Sequence, residues 1–156
     1  MPGRPLPGER LGSRVAARFP PPGAREIAGA ARDPADVSAL GRHSLLVTFR
    51  RDGTAVPTPV WAAPSAGRLF VRTVRVSGKV RRLRADSRVL VAPCTGRGRP
   101  LGAPFEATAR VLAASDEPVA ERALSEAYGT GRALFEWAVD AMRVDMCYLA
   151  IEPREW

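Results

Sequence analysis

The stretch HSLLVTFRRDGTAVPTPVW, residues 43–61, decides how the rest of the chain is read. Leu45, Val47 and Phe49 alternate with Leu46 and Thr48, which is the period-two pattern of a strand. Asp52-Gly53 then provides the two residue types that best accept the backbone of a tight hairpin turn. Residues 54–62 return as a second strand, so the sheet starts antiparallel. PSAG at 64–67 is another turn and RLFVRTV at 68–74 a third strand.

Further along, VSGKVRRLRAD predicts a short helix over roughly 77–86, followed by a fourth strand in SRVLVAPC, 87–94. PFEATARVLA, 104–113, is a fifth strand with Phe105, Ala107, Ala109 and Val111 on one face. An acidic start with Pro118 and a stop at Gly129 bound one late helix. Leu134, Trp137, Ala138 and Ala141 at helical spacing predict another. VDMCYLAIEP, 144–153, closes as a sixth strand with Val144, Met146, Tyr148 and Ala150 alternating. Upstream of the hairpin, Asp33, Pro34 and Gly41 bound a short helix. Residues 1–30 are rich in Pro, Gly and Arg without any sustained period and read as a disordered basic arm. The expected fold is therefore one α+β domain over residues 31–156. In it six mostly antiparallel strands form a closed or nearly closed barrel with short flanking helices.

Composition narrows the functional classes. At 156 residues with 46% hydrophobic and 26% charged, the chain can bury a proper core. It has no apolar run long enough for a bilayer and no apolar segment of the secretory type near its start. Cys94 and Cys147 form no metal-spaced cluster and read as buried hydrophobes in a reducing, cytoplasmic compartment. His43 is the sole histidine, which leaves little for a histidine-based metal site or a Ser-His-Asp triad, so no metal is expected. The formal charge of +8 favours an anionic partner. The bias is arginine-driven: Lys79 is the only lysine, and Asn and Gln are absent, as in proteins of GC-rich genomes.

That lysine stands in FVRTVRVSGKVRRLR, residues 70–84. A strand delivers Arg72 and Thr73, Ser77 can cap the new helix, and Gly78 removes bulk beside its first N–H groups. Lys79 and Arg82 share one helical face, Val80 and Leu83 another. Such a junction can hold a phosphate; it can equally be a solvated basic face. A second feature is VPTPVW: Pro57 and Pro59, two apart, lack N–H groups along one edge, so the strand must be an edge or border a ligand. Trp61 shares their face and would complete a flat wall.

The ordered set LLVTFRRDGTAVPTPVW, LFVRT, SGKVRRLRADSRVLVAPC and FEATARVL resembles the pyridoxamine-phosphate-oxidase-like split β-barrel superfamily, the FMN-binding split-barrel type. It is more closely similar to the flavin and deazaflavin (coenzyme F-420) dependent oxidoreductases typical of GC-rich actinobacteria, over roughly residues 40–152. The resemblance implies a homodimer with two cofactor sites at the subunit interface. It implies that Arg72, Thr73, Ser77, Gly78 and Lys79 hold the cofactor phosphate, with Arg82 as a further contact. Pro57, Thr58, Pro59 and Val60 would border the tricyclic ring, and Pro93 and Cys94 would end a strand that approaches the site. Glu106 and Asp140 are acidic by family position, with ion-paired structural roles as the simpler reading. Arg75, Arg81, Arg84, Arg97 and Arg99 could steer an anionic cofactor tail.

The implied activity is hydride transfer between coenzyme F-420 and a small organic acceptor, with the cofactor carrying the redox chemistry. An FMN-dependent oxidoreductase is the nearest alternative. A non-catalytic flavin or haem carrier is another, with His43 as the one available axial ligand. A nucleic-acid binder would rest on the net charge and the basic arm alone, without a recognised reading motif.

Overall fold

Six strands close on themselves in the order β1-β2-β3-β6-β5-β4 in the computed structural model, with every neighbouring pair antiparallel. The structure describes residues 43–154 together with 24, 26–30, 32, 37 and 40, and for residues 130–139 the backbone alone. The strands are β1 (His43–Phe49), β2 (Ala55–Ser65), β3 (Arg68–Val74), β4 (Arg88–Pro93), β5 (Phe105–Val111) and β6 (Met146–Pro153). Helix α1 (Gly78–Ala85) joins β3 to β4, and α2 (Glu117–Ala141) joins β5 to β6. The α+β barrel expected from the strand pattern is what the chain forms, and closure leaves no fully open sheet edge.

Inward side chains fill the barrel: Leu46, Val60, Leu69, Val71, Val91 and Phe105 are buried together with Leu149 and Ile151. Val80 and Leu83 of α1 join the same cluster, so this helix docks through the face its sequence spacing marked as apolar. Outside the barrel, α2 covers β2, β3 and β6 by setting Ala120, Ala123 and Leu124 against Ala63, Phe70 and Ala150. A second outer layer covers β1 and β4, where Ala24 and Ile27 pack on Leu45, Val47 and Leu90.

These outer layers correct several expectations. β1 does not alternate between core and solvent: Leu45, Leu46, Val47 and Thr48 are all buried, because both of its faces are covered. Residues 26–29, within the segment read as a disordered arm, form a 3-10 turn with Ile27 buried; residues 1–23 and 25 lie outside the described residues. In β6 the inward set is Cys147, Leu149 and Ile151, while Tyr148 and Ala150 face α2, and Val144 precedes the strand. The break expected at Gly129 is present: within α2 two helical stretches meet at this residue, whose non-helical backbone (φ 57°, ψ −140°) is open to glycine and strained for other residues. The side chains of Leu134, Trp137 and Ala138 fall outside the described ones. So does most of the short helix expected from Asp33, although Val37 and Leu40 pack against the main core.

One departure from full pairing positions the site. β2 pairs with β1 through residues 55–61, but with β3 only through 62–65. β3 continues beyond that point on β6 alone, through Arg72, Thr73 and Val74. The two strands therefore part after Ala62 and Val71. Pro57 and Pro59 lie in the stretch paired on one side only, where their missing N–H groups cost no ladder bond.

Candidate functional site

Where β2 and β3 separate, they frame a cleft of ≈ 270 Å³, lined from β2 by Pro59, Val60 and Trp61 and from β3 by Arg72, Thr73 and Val74. Lys79 enters from the first turn of α1, Leu124 and Tyr128 from α2, and Met146 from β6. The Lys79 ammonium donates to the Thr73 hydroxyl at 2.8 Å. Thr73 is itself buried, so a strand residue fixes the lysine against the mouth of the barrel. Burial, and next the Arg82 guanidinium, hold the Lys79 ammonium below its ordinary pKa.

Arg82 folds back toward the start of α1, as helical side chains do, and its Nε donates to the Thr48 hydroxyl at 2.6 Å. Its guanidinium lies 2.8 Å from where a Cβ on Gly78 would stand. A Cβ on Gly78 would therefore press on the tip of the flexible Arg82 side chain, which would have to shift aside. Ser77 takes the N-cap backbone geometry (φ −67°, ψ 156°) without the expected side-chain capping bond. Its buried hydroxyl oxygen has no hydrogen-bond partner among the described residues. The half-buried ammonium at the cleft suits a phosphate, which can accept from it.

The opposite wall is aromatic. Trp61 stacks on Tyr128 (centroids 5.6 Å apart, planes 24° apart), and His43 meets Trp61 edge-on at 6.1 Å. The Tyr128 hydroxyl donates to the Ala62 carbonyl, pinning α2 to the point where β2 leaves β3. Arg72 bonds Asp140 at 3.1 Å and lies over the Tyr148 ring at 5.8 Å. Tyr148 in turn bonds Glu121.

The structure brings together Pro59, Val60, Arg72, Thr73 and Lys79 at the cleft, whereas Ser77, the N-cap of α1, Gly78 and the last-turn residue Arg82 do not line it. Pro57 and Thr58 lie farther along β2 and do not line the cleft. Pro93 and Cys94 fall on the other side of β1, where Pro93 pairs with Ser44, and Cys94 is buried among Leu45, Leu90 and Ala92. Burial pushes the Cys94 thiol up to about 11, so it stays protonated near neutrality. The loop after it does reach β2: Gly98 sits against the Pro59 ring. Glu106 is ion-paired with Arg32 and Arg154, Asp140 with Arg72, and Arg75 with Asp145. Leu124 and Tyr128 were not legible as site residues, because a helix residue carries no signal of the strand it will meet.

No protein-family model matches the chain, and no curated protein does. Solved structures do. A conserved hypothetical protein of Mycobacterium tuberculosis is 24% identical, over 74% of each chain, with a TM-score of 0.55. A FAD-binding protein of Mesorhizobium loti is 16% identical over 74% of this chain and 81% of its own, TM-score 0.52. HutZ, the heme storage protein of Vibrio cholerae, is 13% identical over 74% of this chain and 83% of its own, TM-score 0.54. At these identities the likeness is one of fold, a six-stranded antiparallel split barrel that different bound groups can share.

Proposed function

We propose that the chain is an oxidoreductase that transfers a hydride between coenzyme F-420 and a small organic acceptor, at a cleft completed in a homodimer. The observation that carries this reading is the half-buried Lys79, whose ammonium is bonded to a neutral hydroxyl rather than a carboxylate. A phosphate placed there gains a charge-assisted bond and relieves the cost of burying the ammonium. Ser77 and the first turn of α1 add donors, and Arg82 adds a second positive charge held by Thr48. Pro59 and the Trp61–Tyr128 stack form a rigid, largely apolar wall against which a planar ring can lie. When bound, the cofactor supplies the hydride; the protein's residues hold its phosphate, orient its ring and exclude water from one face.

FMN is a second reading, because the phosphate locus serves either ring system and a FAD-binding protein shares the fold. Carriage without turnover is a third, in keeping with the fold of a heme storage protein. A fluorescence titration with F-420 and with FMN, followed by anaerobic mixing of the reduced complex with a panel of quinones and nitroaromatics, separates them. Saturable F-420 binding with acceptor-dependent reoxidation supports the proposal. Preference for FMN transfers the role to the flavin, binding without reoxidation leaves a carrier, and binding of neither ends the oxidoreductase reading.

A further inference from the structure

A second concavity, of ≈ 870 Å³, opens at the other end of α1 from Lys79. Five helical residues lie between Lys79 and Ala85, which line the two, roughly 9 Å of helix. The groove is framed by the β1–β2 hairpin, the starts of β4 and β5, and the residue that follows β6. Five arginines line it, Arg32, Arg50, Arg51, Arg88 and Arg154, against two carboxylates, Asp86 and Glu106.

Those carboxylates are already committed. Asp86 holds Arg88 through both oxygens, at 3.1 and 3.0 Å, and Glu106 meets Arg32 at 3.8 Å and Arg154 at 3.5 Å. Arg32 is also anchored by the carbonyls of Ala28 and Ala30, which fixes its guanidinium at the wall. Asp52, in the neighbouring hairpin, turns its carboxylate to the Thr54 N–H at 2.9 Å. Among the described residues neither Arg50 nor Arg51 has a carboxylate at ion-pair distance. Arg50 acts both on Asp52, whose carboxyl it helps hold below the ordinary value after the Thr54 bonds, and on Arg82, whose charge it disfavours after burial. Like charges gathered in a concave wall cost free energy that an anion recovers, and guanidinium forks match phosphate and carboxylate oxygens.

We propose that this groove is a second binding site, taking a small molecule that carries two or more phosphate or carboxylate groups. Its size falls within the span of small-ligand pockets, whereas a nucleic-acid surface would extend as a track of charge. It does not depend on what occupies the cleft.

Calorimetric titrations are performed on Lys79→Ala protein, which removes the cleft's ammonium, with inorganic tripolyphosphate, with citrate, and with a short DNA duplex. One saturable site per chain for tripolyphosphate or citrate is expected. Its affinity should fall by about tenfold or more in R50S/R51S, the loss of two charge-assisted contacts. Arg110→Ser, a surface charge outside the groove, should change it by less than about threefold. Whichever small anion binds more tightly identifies phosphate or carboxylate as the recognised chemistry. Far-UV circular dichroism accompanies each variant, and the single variants R50S and R51S replace the double one if it fails to fold. No saturable site, an equal loss in Arg110→Ser, an unchanged R50S/R51S, or tighter binding of the DNA would each overturn the proposal.

Discussion

Lys79 concentrates the conflict between stability and binding at one side chain. Its ammonium donates to Thr73, a bond worth about 1 kcal/mol, yet burial opposes its charge. Because the folded chain holds this proton less tightly than the unfolded chain, the penalty is fully present below the depressed folded pKa. It disappears as pH rises to the ordinary lysine value of 10.5. Lys79→Met removes bond and penalty together, so urea melts at pH 7 should place it within about 1 kcal/mol of wild type. The wild type should then gain on the variant as pH climbs toward 10.5; a difference independent of pH would contradict this account of the buried charge. The sequence isolated this lysine because it is the only one among many arginines. It could not show that the Arg82 guanidinium comes back over Gly78, since that contact depends on how a long side chain folds over one helical turn.

At the scale of elements, α2 matters because it carries Tyr128 to the cleft immediately before its bend. Gly129 has open space where a Cβ would go, so any penalty for Gly129→Ala is one of backbone conformation. The substitution should destabilise by about 1 kcal/mol or more, lowering the melting temperature by roughly 2–4 °C, and should weaken cofactor binding through the displaced Tyr128. An unchanged melting curve would mean that the bend is not a constraint. Strand positions were largely legible, because turn residues and period-two patterns are local. Pro57 and Pro59 also marked the parting of β2 from β3, since a proline pair tolerates only an unpaired side. Facing was less legible: β1 is covered on both sides and α2 covers Ala150, and neither cover is written within the strand it hides. Pro93 and Cys94 lie across β1 from the cleft within one chain, a placement set by closure of the barrel and by no local pattern.

For the whole molecule, the barrel is the part of the expectation that held most fully, and the N-terminal segment the part that changed. Ile27 and Ala24 seal the outer face of β1 and β4, so they belong to the folded unit although they lie within the first 30 residues. Ile27→Ala should cost about 2 kcal/mol, and a chain beginning at residue 31 should lose more, because Leu45, Val47 and Leu90 then meet water. Denaturant unfolding measures both; a shortened chain as stable as the full one would show that the seal contributes nothing. The charge also divides by place: Lys79 and Arg72 at the cleft, an arginine groove at the far end of α1, and ion pairs over much of the remaining surface. Such a division makes each site separately testable. For the central claim, that the parted β2 and β3 hold a phosphate-bearing redox cofactor against Lys79, the most direct measurement is the equilibrium binding of F-420 and FMN to wild-type and Lys79→Ala protein. Wild type should bind saturably, and the binding should weaken by about tenfold or more in the variant while its fold persists; binding of neither cofactor, or equal binding by both proteins, would contradict a phosphate held by Lys79.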